Sequence, residues 1–347
     1  MTATAATLRV EPFAGSAAEW DDFVKRQAGW TPFHLHAWRD VIGRVFGHAT
    51  PFLAARDGVG GELAGVLPLV LLKSPVFGRY LVSMPFVNYG GPLGSVEAVR
   101  ALAVEATALA DAERVKLLEL RSRGELPLDL PVSHRKITVV LDLAPGDPDA
   151  TFKRFDAKLR SQVRRPAKAG VEVRFGRDQL EPFYRVFAEH MRDLGTPVQS
   201  RALFEALADA FGDDLWVGAA WLGDVPVAGG VGFRWGTEFE MTWASSLHAH
   251  SKLSPNMGLY WAFMERACRE GLSCFNFGRC SPGVGTHRFK RQWGSRDEQL
   301  WWYQHGAGAA ATPSPDDGAY SWGPRLWKKL PLPLANLLGP PIVAGIP

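Results

Sequence analysis

Cysteine is scarce in this chain, with three among 347 residues, at positions 268, 274 and 280, and no Cys-x-x-Cys pair. That excludes a disulfide framework and a thiolate zinc site, and fits a reducing compartment. Long apolar runs are also missing. No uninterrupted stretch approaches the roughly 20 residues that span a bilayer. The opening MTATAATLRVEPF has neither a basic start nor an apolar core, so no signal peptide is readable. His248 and His250 stand two apart, but no third ligand follows at a zinc spacing, and no metal is expected. Net charge is small, with 39 Lys and Arg against 36 Asp and Glu. A chain that is 46% hydrophobic and 22% charged is globular rather than disordered. Its length exceeds one ordinary core, and two domains follow.

The charge that exists is unevenly placed. Lys153, Arg154, Lys158, Arg160, Arg164, Arg165 and Lys168 are opposed locally only by Asp156. Such a field attracts phosphates, nucleic acid or anionic headgroups. Phe152, Phe155, Leu159 and Val163 fall on the inner side of the same helix, so a solvated face of an amphipathic helix explains the charges equally well.

Read in order, the pattern gives a strand near residues 8–10, helices over 17–27 and 37–46, and strands over 52–56, 62–72 and 80–86. A helix over 95–112 and strands over 115–121 and 136–143 close the first half. The second half repeats that order. It has a basic helix over 148–169, a strand over 171–175, helices over 180–194 and 201–211, and strands over 215–222, 225–234 and 238–244. A helix capped by Ser254-Pro255 and ended near Gly271 follows. The repeat shows in residues as well: Leu53-Ala54-Ala55 then Leu63-Ala64-Gly65-Val66 matches Gly218-Ala219-Ala220 then Val227-Ala228-Gly229-Gly230-Val231. Two copies of one mixed α/β unit are expected, over 1–147 and 148–311, with a proline-rich tail over 312–347. The tail docks on the protein or lies on a membrane surface, where Arg325, Lys328 and Lys329 favour anionic lipid.

The stretch FNFGRCSPGVGTHRFKRQWG (275–294) stands out. An apolar strand over 272–277 ends at Gly278 and feeds a segment with glycines at 283 and 285 that carries Arg279, Thr286, His287, Arg288, Lys290 and Arg291. Phe289 and Trp293 are interleaved, which anchors these charges on apolar ground. A buried strand feeding a donor-rich loop places polar groups at the mouth of a cleft. Cys280 and His287 could imitate a nucleophile pair, but no orienting acid is evident in the sequence. Strand ends before each long helix, Asn88-Tyr89-Gly90-Gly91 and Trp243-Ala244-Ser245-Ser246, are where α/β folds place ligands.

LRSQVRRPAKAG, HMRDLGTP, TWASSLHAHSKLSPNMGLYWAF and the 275–294 motif, in that order, resemble the Fem family of non-ribosomal peptidyl transferases. The resemblance covers roughly residues 8–310 and is nearest to the FemAB-like branch linked to exosortase and PEP-CTERM exopolysaccharide systems. It implies two tandem GNAT-like domains, of mixed α/β class, packed around a central cleft. It also implies transfer of an acyl or aminoacyl group to an amine. In characterised members the donor is aminoacyl-tRNA and the acceptor a peptidoglycan precursor. The family's catalytic lysine falls at Lys290, with Phe289 beside it. Arg279, Arg288 and Thr286 become candidates for phosphate or substrate contact, as do Arg192, Trp243, Ser245, Ser246, Asn256 and Tyr260. Asn88 and Tyr89 would meet the acceptor from the first domain. Lys158, Arg160, Arg164 and Arg165 would track a phosphate-bearing donor. His190 reads as a packing histidine.

One departure bears on the donor. Acetyltransferases of this kind cradle the coenzyme A pyrophosphate on a glycine-rich turn before the central helix, and 247–254 contains no glycine. The expectation is a cytoplasmic transferase, with the tail offering contact at the inner face of the membrane. No cofactor is permanently bound, and the donor is aminoacyl-tRNA or acyl-CoA. Envelope glycan or lipid-linked acceptors are the partners. An acyl-CoA-dependent sugar-amine N-acyltransferase is the enzyme alternative, and a non-catalytic component of exopolysaccharide assembly is the alternative of another class.

Overall fold

The computed structural model describes residues 8–307 and 322–347. These divide into two compact units. Residues 8–136, 299–307 and 344–347 form the first, and 137–298 with 322–343 form the second.

The first unit begins with β1 (Leu8–Pro12), α1 (Ala17–Arg26), α2 (Ala37–Phe46), β2 (Leu53–Asp57), β3 (Leu63–Leu67), β4 (Val70–Ser74) and β5 (Gly78–Val82). It continues through β6 (Leu93–Gly94), α3 (Val96–Ala112), β7 (Leu117–Ser122) and β8 (Val132–Ser133). A late strand, β16 (Trp301–His305), returns to this unit. The strands form two sheets, β1-β2-β3-β6 and β4-β5-β7-β16-β8. The single strand expected over 62–72 is thus two strands in different sheets. Pro68 sits between them, and its missing N–H cannot serve a ladder. α3 packs its alanine face on β3, where a Cβ on Gly65 would lie 2.7 Å from the Ala98 Cβ.

The second unit contains β9 (Ile137–Asp142), α4 (Pro148–Lys153), α5 (Ala157–Lys168), β10 (Val171–Phe175), α6 (Leu180–Leu194) and α7 (Arg201–Phe211). Then come β11 (Leu215–Leu222), β12 (Val225–Trp235), β13 (Glu238–Ser246), α8 (Pro255–Arg269), β14 (Cys274–Cys280), α9 (Gly285–Arg291) and β15 (Arg296–Gln299). After residues that lie outside the described part come α10 (Trp322–Trp327) and α11 (Leu332–Val343). One seven-stranded sheet runs β10-β11-β12-β13-β14-β9-β15. The basic helix expected over 148–169 is two helices, because Asp156 caps a new start by accepting from Leu159 N at 2.7 Å.

The repeat is structural as well as sequential. Ala55 pairs with Gly65 and the register slips after Ala55; Ala220 pairs with Ala228 and the register slips after Ala220. In each unit a long helix connects two parallel strands, β5 to β7 and β13 to β14. The unit boundary, however, lies at 136/137 rather than 147. β9 is a rung of the second sheet, with Leu141 opposite Phe275 and Val140 opposite Asn276. The far boundary near 311 is displaced likewise, because β16 pairs with β7 in the first unit.

Candidate active site

β13 and β14 run parallel through only three residue pairs, ending at Glu240 opposite Asn276. β13 then bulges, since Val231 pairs with Trp243 and Gly232 with Met241, which leaves Thr242 as the extra residue. β14 has its own irregularity against β9 between Asn276 and Arg279, with Gly278 at φ +70. Only glycine takes that conformation at little cost. The two strands part here, and the bulge aims the carbonyls of Gly278 and Arg279 away from a regular ladder.

Lys290 occupies the position those carbonyls face. Its Nζ donates to Gly278 O at 2.7 Å and to Arg279 O at 2.8 Å. The expected loop around it is in part the short helix α9, which turns Lys290 inward to 7% exposure. Aromatic rings supply the low dielectric: Tyr260 lies 5.0 Å from Phe289 and 5.6 Å from Phe277, and Phe277 lies 6.2 Å from Trp293. Burial pushes the Lys290 ammonium down to about 8, with the Arg279 charge acting the same way, while Cys280 and Glu240 oppose it.

A buried polar network surrounds this point. Thr138 Oγ1 donates to Asn276 Oδ1 at 2.6 Å, Gly278 N donates to the same oxygen at 2.8 Å, and Asn276 Nδ2 donates to Glu238 Oε1 at 2.8 Å. Glu240 is wholly buried, and Thr242 Oγ1 donates to its carboxylate at 3.4 Å. Glu240, Asn276 and Thr138 were not singled out from sequence. The usable signal was a polar residue inside an otherwise apolar strand, as in Cys-Phe-Asn-Phe-Gly and Glu-Phe-Glu-Met. His287, also near this motif, accepts from Gly283 N at 3.0 Å on Nδ1 and meets Asp297 at 3.0 Å on Nε2. His287 is thus paired with Asp297, on β15.

Residues 153–291 match the family model described as the acetyltransferase (GNAT) domain. That match lies within the second unit and covers less than half of the chain. Among solved structures, the crystal structure of FemX aligns with 84% of this chain and 96% of its own, at 17% identity and TM-score 0.62. The L-PGS of Bacillus licheniformis aligns with 97% and 98%, at 12% identity and TM-score 0.55. A tandem GNAT protein from the clavulanic acid biosynthesis pathway aligns with 89% and 100%, at 14% identity and TM-score 0.50. At these identities the likeness is one of fold, and the fold is that of tandem GNAT-like units. No curated protein matches the chain. On that match and that fold, the chain is an acyltransferase.

In the GNAT frame, the expected site residues fall into separate groups. Lys290, Phe289 and the backbone of Arg279 stand together, while Arg288 and Thr286 are exposed on α9. Tyr260 is part of the aromatic floor, and burial raises its hydroxyl pKa. Trp243, expected to face substrate, is instead core: it lies 5.2 Å from Phe204 in an edge contact and is 7% exposed. Ser245 accepts or donates at 2.9 Å to His190 Nδ1. His190 and Ser246 line a cavity of about 460 Å³ with His248, Ser251 and Lys328. Burial lowers the His190 pKa. Arg192 is engaged with Asp193 at 2.7 Å and with Leu330 O at 3.4 Å, so it serves the tail rather than an open cleft. Asn256 is half-buried near the start of α8.

The turn before α8 bears on the donor. His248–Leu253 is a tight 3-10 turn, and Ser254 follows at φ +54. His250 N bonds to Leu247 O and Ser254 N to Ser251 O, so these amides are spent internally. This is a poor cradle for a pyrophosphate. On α5, Lys158 and Arg165 are exposed, but Arg160 donates to Phe155 O at 2.7 Å and Arg164 lies 4.9 Å over the Phe152 ring. Half of the proposed phosphate track thus has a structural task.

In the first unit, Asn88 and Tyr89 are buried, and Tyr89 lines a cavity of about 310 Å³ with His34, Arg121 and Arg123. Met84 and Phe86 in the same loop hold φ of +56 and +72, which is strained for such side chains. Burial pushes His34 down to about 4, leaving it neutral. Arg121 is held by Glu119 at 2.7 Å and stacks on Trp302 at 4.5 Å. Among the described residues no cluster of His, Cys, Asp and Glu could hold a metal ion. No described helix is long and apolar enough to cross a membrane.

Proposed function

We propose that this acyltransferase forms an amide on an amine of a cell-envelope intermediate of peptidoglycan or exopolysaccharide type, with aminoacyl-tRNA as donor. The observation that carries this reading is the Lys290 ammonium, buried beside the point where β13 and β14 part and held there by two backbone carbonyls. The amine nitrogen attacks the ester carbonyl carbon and a C–N bond forms. The carbonyl oxygen takes the electron pair, the C–O bond to the tRNA ribose then breaks, and the proton lost by the amine ends on the leaving hydroxyl. An ammonium has three donors. Two go to Gly278 O and Arg279 O, and the reading assigns the third to the developing oxyanion, where exclusion of water makes it effective. The tight turn at 248–253 and the exposed Lys158 and Arg165 support a nucleic-acid donor over coenzyme A. The strained loop at 84–86 and the cavity at Tyr89 support an acceptor site in the first unit. Assignment to the exosortase-linked branch rests on the sequence resemblance alone.

The second reading, acyl transfer from coenzyme A to a sugar amine, is favoured by the open divergence of β13 and β14, which would admit a pantetheine arm. Native mass spectrometry of the protein with charged tRNA and with acyl-CoA pools, alongside Lys290→Ala, separates the two. The expected result is capture of aminoacyl-tRNA, with the variant binding it but failing to turn it over. Capture of acyl-CoA alone would replace the first reading by the second, and turnover by Lys290→Ala at the normal rate would remove Lys290 from either.

A further inference from the structure

The last described segment, residues 322–347, contains Arg325, Lys328 and Lys329 and no acidic residue. Part of it packs on the second unit. α10 and α11 both contact α6, Ala335 and Gly339 are buried, and a Cβ on Gly339 would lie 2.8 Å from Val198 N. Gly195 is as close to the segment, since its Cβ would lie 2.6 Å from Pro324 O. The small residues therefore mark the face of α11 that docks.

The neighbouring face is different. Leu334, Leu337, Leu338 and Pro341 recur at i, i+3, i+4 and i+7, so they share one stripe, turned about 130° from Ala335 and Gly339. All four are exposed, Leu337 at 71%. Leu326 adds 58% exposure beside Arg325, Lys328 and Lys329, which are exposed as well. An apolar stripe in a segment whose only charged side chains are cations is complementary to a surface with an apolar interior and an anionic rim. α11 has 12 residues. At about 1.5 Å per residue it is far shorter than the roughly 30 Å hydrocarbon core, so it would lie in the interface rather than cross it.

We propose that residues 325–341 are a docking surface for an anionic lipid bilayer. Leu334, Leu337 and Leu338 enter the headgroup boundary, and Arg325, Lys328 and Lys329 face lipid phosphates. This goes beyond acyl transfer and does not depend on which donor is used. Each basic residue near an anionic surface strengthens partitioning by about fivefold, so three give roughly a hundredfold preference.

The test is co-sedimentation of the full chain with phosphatidylcholine vesicles containing or lacking phosphatidylglycerol, at low and high salt. The expected result is binding to the anionic vesicles, roughly a hundredfold weaker on the neutral ones and weakened by salt. Leu337→Asp, at an exposed position, is expected to bind at least about tenfold more weakly with an unchanged melting temperature. Where that variant fails to fold, Arg325→Glu with Lys329→Glu tests the same surface and is expected to abolish the preference for anionic vesicles. Wild-type protein that sediments with neither vesicle overturns the proposal, as does equal binding by Leu337→Asp. A wild-type dimer in solution that Leu337→Asp converts to monomer would also overturn it, because a second copy would then cover the stripe.

Discussion

Lys290 is where burial and chemistry conflict most directly. Its pKa is lowered from the ordinary 10.5 to about 8 in the folded protein, a difference on the order of 3 kcal/mol. Because the folded-state value is the lower one, the unfolded chain binds more protons between about pH 8 and 10.5, and stability rises with pH across that window. That contribution is complete above the unfolded value and is lost as pH falls through the folded one. Replacing Lys290 by Met removes the slope, which denaturant titrations at successive pH values would read. At neutral pH the relief of desolvation is offset by two carbonyls left without a donor, at about 1–3 kcal/mol each, so little net change in stability is expected. Turnover should nonetheless fall by roughly a hundredfold or more. The pH profile distinguishes the roles. If the ammonium stabilises an oxyanion, activity declines as pH rises through about 8; a rise there would make Lys290 the general base instead.

Several elements were readable from residues and others were not. α8 starts at Pro255 as expected, although Ser254, at φ +54, makes no side-chain capping bond, and the paired Ala/Gly strands β2-β3 and β11-β12 follow from their shared motif. α9 was expected as a loop because Gly283 and Gly285 open it, yet Gly285 starts the helix and Lys290 needs that turn to point inward. The tail was expected to dock or to lie on a membrane. It docks through α10 and the small-residue face of α11 while keeping its leucine stripe outward. Gly195 decides the first of these contacts, since it has φ +80 and its Cβ position is blocked by Pro324 backbone. Gly195→Ala should therefore release the segment as well as strain the α6 C-terminus. Gly271 has the same φ of +80 with open space around it, so Gly271→Ala should show the strain alone, about 1–2 kcal/mol. Limited proteolysis would show new cleavage within residues 322–343 in the first variant and not in the second. Cleavage at equal rates in both would mean that Pro324 does not anchor the tail.

At the scale of the whole chain, one strand departs from sequence order, because β16 returns to the first unit. β16 supplies the partner of β7 through five residue pairs, and Tyr303 is buried in the first unit's core with its hydroxyl donating to Leu126 O at 2.9 Å. A chain ending at Glu298 should therefore lose hydrogen-exchange protection in β4, β5 and β7 while keeping it in β11 and β12. Retained protection in β7 would show that the sheet closes without β16.

Lys290 was singled out by the resemblance of its motif to the Fem family, and the sequence by itself determined the class of element at most positions and the two-fold repeat. These are local matters, set by periodicity, caps and glycine placement within a few residues. Which strand joins which sheet, and which polar residues surround Lys290, only the tertiary structure decided. β9 lies more than a hundred residues before β14, and Thr138 reaches Asn276 only because the two strands pair. A polar side chain in an apolar strand announces itself from sequence, but its partners do not. They are chosen by the register of distant strands, which the burial of the whole sheet fixes.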